Sequence, residues 1–119
     1  MGLDFSHCDA HWGYGGFMNF RRRLAEKIGI DLLKMDGFTG PVQGYRGISW
    51  ETVTDQIKPL LDHSDCDGIL TPDECKQVYP RLIELTTDWD ESDPDKINAL
   101  ELVKGMKLCI ENNEDLEFY

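Results

Sequence analysis

With 119 residues and 40% apolar content, the chain can build one domain with a modest core and is too apolar to stay disordered. Residues 1–50 hold six Lys/Arg against five Asp/Glu and residues 51–119 six against eighteen, so +1 and −12 give the formal net charge of −11. That second half repels phosphate backbones, which argues against direct nucleic-acid binding and for a basic protein surface or a metal cation as partner.

No run approaches the roughly 18 unbroken apolar residues of a membrane span. The first residues, MGLDFSHCDAHW, lack the apolar segment of a secretory signal. A cytoplasmic location is therefore expected, with Cys8, Cys66, Cys75 and Cys109 as reduced thiols.

Gly2–Ser6 reads as a short strand with Leu3 and Phe5 on one face. A glycine-rich loop follows from Asp9 to Gly16. Phe17 to Ile28 is predicted as a helix, because Phe17, Phe20, Leu24 and Ile28 recur at helical spacing. Arg21, Arg22 and Arg23 cluster beside that stripe, with the chain's own acidic half as their expected counter-charge. Gly37, Gly40, Pro41 and Gly44 mark a loop. Ser49 then caps a predicted helix carrying Val53, Ile57, Leu60 and Leu61, with Pro59 distorting it or forcing its last turn.

The clearest helix runs from Thr71 to Thr87. Thr71 is its N-cap, Pro72 its first residue and Glu74 the partner in a capping box. Asp93-Pro94 opens the last helix in the same way, with Ile97, Leu100, Val103, Met106 and Ile110 as its expected core stripe. The tail Leu116–Tyr119 alternates like a strand and is expected to pair with Gly2–Ser6. The fold class is mainly α. Residues 1–119 are expected to form a single acidic domain of four or five helices, with a small two-stranded sheet from the N- and C-terminal segments.

The stretch HSDCDGILTPDE, His63 to Glu74, carries the candidate chemistry. With Gly68 at position 6 of a twelve-residue calcium loop, Asp65 falls at 3, Asp67 at 5, the Ile69 carbonyl at 7, Thr71 at 9 and Glu74 at 12. Position 1 is His63 where Asp is the rule, and Asp62 lies one residue earlier. Residues 62–74 resemble a single EF-hand calcium loop. The resemblance implies a calcium ion held by Asp62, Asp65, Asp67, Ile69, Thr71 and Glu74 between two helices. A forced second loop over Asp90–Glu101 has Pro94 and Asp95 at positions 5 and 6 and is not read as a metal site.

Two other readings of the same residues stand beside calcium. In one, Asp67-Gly68 is a turn and Thr71–Glu74 a capping box, with no ion. In the other, Cys8, His11, His63 and Cys66, two pairs each separated by two residues, form a zinc tetrahedron.

No P-loop, GxSxG, HExxH or GxGxxG motif is present, so a non-enzymatic chain is expected. The expected function is an acidic interaction module with a degenerate EF-hand-like calcium loop. The alternative is a metal-free inhibitor or immunity-type protein that binds a basic partner. Over its whole length the chain also faintly resembles small bacterial or phage-borne proteins of unassigned function, and that resemblance implies no activity.

Overall fold

The computed structural model describes residues 2–36, 38, 47–64 and 67–119. Among them are four α-helices: α1 (Tyr14–Lys27), α2 (Lys58–Leu61), α3 (Pro72–Thr86) and α4 (Pro94–Asn112). Four short strands accompany them: β1 (Leu3–Asp4), β2 (His11–Trp12), β3 (Gly68–Leu70) and β4 (Leu116–Phe118). This is the mainly helical domain that the periodicity predicts. Among the described residues, no helix is long and apolar enough to cross a membrane.

The strands form two antiparallel pairs, β1 with β2 and β3 with β4. Hydrogen bonds join the pairs. The Asp4 N–H donates to the Tyr119 carbonyl at 2.8 Å, the Tyr119 N–H to the Asp4 carbonyl at 3.0 Å, and the Ser6 N–H to the Glu117 carbonyl at 3.0 Å. Phe5 and Phe118 form a bridge between them. The strand order is therefore β2–β1–β4–β3. The expected pairing of the tail with residues 2–6 is present. β3 adds a strand that the alternation pattern does not show.

Strand alternation puts Leu3, Phe5, Trp12, Leu70, Leu116 and Phe118 on the buried face. This face packs on α1. Phe5 and Phe118 meet edge-on at 4.8 Å, and Trp12 stacks on Phe20 at 4.5 Å. Each such pair adds about 0.5–1.5 kcal/mol beyond area burial.

The helices form for local reasons that their caps record. In α3 the Thr71 Oγ accepts from the Glu74 N–H at 3.2 Å, and the Glu74 carboxylate accepts from the Thr71 N–H at 2.9 Å. In α4 the Asp93 side chain accepts from the Asp95 N–H at 2.9 Å. Arg23 of α1 is clamped across that same cap, with nitrogens 2.8 Å from Asp93 and 2.7 Å from Asp95, and it lies over the Trp89 ring. Arg23 thus pairs with the acidic half, as expected.

Three expectations need correction. The stretch Asp9–Gly16, read as a loop, holds β2 at His11–Trp12 and the start of α1 at Tyr14. The helix predicted after Ser49 is broken. A 3₁₀ turn over Trp50–Thr52 uses the Ser49 cap, residues 53–55 run irregularly, and α2 starts afresh at Lys58. A helix running through Pro59 would clash its ring with the Asp55 carbonyl, so Pro59 sits at the start of α2 instead. The stripe predicted on α4 is rotated. Ala99, Leu102, Val103, Met106 and Cys109 are buried, whereas Ile97 is 51% and Leu100 40% exposed. Gly105 lies on this buried face, where a Cβ would stand 3.0 Å from the Cys8 side chain.

Candidate functional site

The acidic bend lies between α2 and α3, and α1 holds its entrance. Arg21 is fully buried and donates to the carbonyls of Leu61 and His63, with its guanidinium over the rings of Phe17 and Phe38. A charged donor on those two carbonyls fixes the direction in which the chain leaves α2.

Asp62 caps the end of α2 and lines an open depression with Asp36, Ser49, Trp50, Glu51 and Lys58. Lost hydration raises its carboxyl above the ordinary range; Lys58 opposes this and the charge of Asp36 adds to it. Asp65 and Cys66 lie outside the described residues. Asp67 is exposed.

The sharp turn at Gly68 is real. Its φ is +104°, and a Cβ there would meet the His63 ring at 3.0 Å. Both facts require glycine.

The imidazole of His63 lies inside the bend. Its Nε2 stands 3.0 Å from the Ile69 carbonyl and its Nδ1 2.8 Å from the Ser64 carbonyl. Both partners are acceptors, so the ring makes both bonds only with a proton on each nitrogen. The ring also stacks on Phe118 at 3.9 Å. At the far end of the bend, Thr71 and Glu74 face each other in the capping box.

Of the calcium ligands implied by the resemblance, the Ile69 carbonyl and the Glu74 carboxylate therefore already have internal partners. Among the described residues, no three His, Cys, Asp or Glu side chains gather as a group able to hold a metal ion.

Of the four zinc candidates Cys66 lies outside the described residues, and the other three make different contacts. Cys8 packs against Gly105 of α4, with its thiol raised by burial. His11 on β2 sits 2.9 Å from Asp4, and His63 is committed to the bend. Cys75 and Cys109 are fully buried, and burial pushes their thiols up to about 12 and about 11. Unreactive core thiols are what their place on apolar helical faces predicts.

Sequence reasoning missed two features of this region. One is the His63 clamp, whose signal was the histidine standing where the loop pattern calls for aspartate. The other is the solvent side of the sheet. Alternation points Asp4, Ile69, Glu117 and Tyr119 outward, and all four are exposed. No Lys or Arg stands on any of the four strands. Asp67 and Asp115, also exposed, flank this face next to β3 and β4.

Comparison with protein-family models, curated proteins and solved structures gave no match.

Proposed function

We propose that this chain is an acidic interaction module that docks on a basic protein surface through the outer face of its sheet, and that its bend is held without an ion. The observation that carries the reading is the composition of that face. Exposed Asp4, which bonds its neighbour His11, and exposed Glu117 share this face with Ile69 and Tyr119, and exposed Asp67 and Asp115 lie at its β3 and β4 ends. Exposed apolar groups within a field of one sign suit a partner with apolar contacts rimmed by Lys and Arg. An inhibitor or immunity-type protein acting on a basic enzyme is the role that fits.

A lysine-rich peptide, titrated while backbone amide shifts are followed, tests this. The shifts are expected to concentrate at residues 67–70 and 115–119 and to fade with salt. Equal shifts along the acidic segment 88–95 would overturn the assignment of the face.

Calcium binding is the second reading. It is favoured by the frame of the bend: a helix on either side, glycine at the sharp turn, and β3 leading into a capped α3. An ion at this place requires His63 to leave the Ile69 carbonyl. His63→Asp supplies the missing first carboxylate and frees that oxygen. On the ion-free reading, the natural chain is indifferent to calcium up to about 1 mM, whereas the variant binds it. Binding by the natural chain at micromolar calcium would make the second reading the right one.

A further inference from the structure

We propose that Ser6 is an activated hydroxyl that takes up acyl groups from electrophilic donors, with His7 as its base and Glu114 as the residue that positions His7. This goes beyond the docking role and does not depend on it.

The three side chains form a continuous relay. Ser6 Oγ lies 2.7 Å from His7 Nδ1, and His7 Nε2 lies 3.1 Å from the Glu114 carboxylate. The Glu117 N–H donates to Ser6 Oγ at 2.9 Å, which directs the hydroxyl proton elsewhere. The proton assignment is then self-consistent. The Ser6 O–H donates to an unprotonated Nδ1, and the Nε2–H donates to the carboxylate. A hydroxyl bonded to a base, itself oriented by a carboxylate, is the arrangement that makes a serine nucleophilic.

The fold takes trouble to build it. His7 holds a left-handed φ of +67°, a conformation that costs a non-glycine residue energy and that clusters at functional positions. Asn113, also left-handed at φ +54°, ends α4, and the next residue's N–H, that of Glu114, donates to the Cys109 carbonyl at 2.9 Å. The pairing of β1 with β4 then brings residue 6 beside residues 114 and 117. Ser6 itself is half-buried and the Glu114 side chain is 56% exposed, so the relay lies at the surface and its hydroxyl is partly open to solvent.

In the transfer, Ser6 Oγ bonds to the acyl carbon, and the carbon–oxygen bond to the leaving group breaks. The leaving oxygen keeps that electron pair. The Ser6 proton passes to His7 Nδ1 and on to the leaving group, while Glu114 balances the transient imidazolium. The backbone N–H groups of Ser6 and Glu117 are already spent on the Glu117 carbonyl and Ser6 Oγ. Neither is free to stabilise an oxyanion, so the product is a stoichiometric acyl-serine and not rapid turnover.

A fluorophosphonate probe on the full chain tests the inference. Ser6 Oγ bonds to phosphorus, fluoride leaves, and the proton departs through His7. Peptide mapping reads the rate at each serine. Ser6 is expected to label at least about tenfold faster than the exposed Ser49 and Ser92 in the same molecule. His7→Asn, which tolerates the left-handed backbone, is expected to bring Ser6 down to their rate. Glu114→Gln is expected to slow it by less, with an unchanged melting temperature. A Ser6 rate equal to those of Ser49 and Ser92, or wild-type labelling in a folded His7→Asn chain, would overturn the proposal. The comparison of serines within the natural chain decides even if a variant does not fold. Because the probe is uncharged at its reacting end and small, failure here leaves the docking face untouched, and the reverse.

Discussion

The acidic bend and the terminal sheet share β3 and meet again where His63 stacks on Phe118, yet they are held by opposite means. The bend is closed by polar groups: Arg21 at its entrance, His63 across its middle, Thr71 and Glu74 at its exit. The sheet is closed by aromatic side chains, with Phe5 and Phe17 each in ring contact with Trp12 and Phe118. Polar closure sets direction, because each bond exchanges one partner for water and gains about 1 kcal/mol. Aromatic closure sets stability, because each ring removes a large area from water. A region built in the first way changes its ligands at modest cost. A region built in the second way does not.

The largest effect that sharpens this contrast is expected from Phe118→Ala. It removes the ring shared by Phe5, Phe17 and His63, and is expected to cost about 3–5 kcal/mol in urea unfolding. Amide protection of residues 3–6 and 68–70 is expected to fall together. Loss confined to β3 would show that the two strand pairs are independent, and would break the contrast.

Thr71→Ala acts on the other region. Loss of one cap bond is expected to cost about 1 kcal/mol, with an unchanged denaturant slope. A cost as large as that of Phe118→Ala would mean that the bend, and not the sheet, is the anchor.

The smallest effect comes from acid. Two bonds from Arg23 hold the Asp93 carboxyl below the usual carboxylate range, against the opposing pull of burial. At Asp55, burial pushes upward, but the Arg81 bonds and the Ile57 N–H outweigh it, and the net shift is downward. Carboxyls depressed in the folded state add stability above their unfolded pKa of about 3.9 and lose it as pH falls through the folded values. The melting temperature is therefore expected to drop below about pH 4, less steeply in Asp55→Asn and Asp93→Asn, each pair contributing about 1 kcal/mol or less. An acid response unchanged in both variants would place the sensitive carboxylates elsewhere.

How much of this was legible in the sequence differs by element. The starts of α3 and α4 were plain, because Thr71-Pro72 and Asp93-Pro94 are local signals and their caps form as read. The strand made of Gly68–Leu70 was not, since three residues carry no period and its partner lies far along the chain. The α4 face was misread because large side chains were taken as its core. The buried face keeps Val103 and Met106 but turns toward Ala99, Leu102, Gly105 and Cys109, with Cys8 packed on Gly105, and leaves Ile97 and Leu100 in solvent. At the bend, the carboxylates and the turn glycine were visible. The contact of His63 with Phe118 was not, since nothing local encodes a stacking partner 55 positions away.

The bridge between Phe5 and Phe118 joins positions at opposite extremes of the chain. Closing so large a ring is entropically the most demanding step available to this polypeptide, whereas α3 and α4 are neighbours joined by a short turn. Refolding should therefore show helical circular dichroism first and amide protection at Asp4, Ser6 and Tyr119, whose N–H groups bond across the closure, later, with the sheet sealing last over a helical hairpin that is already formed.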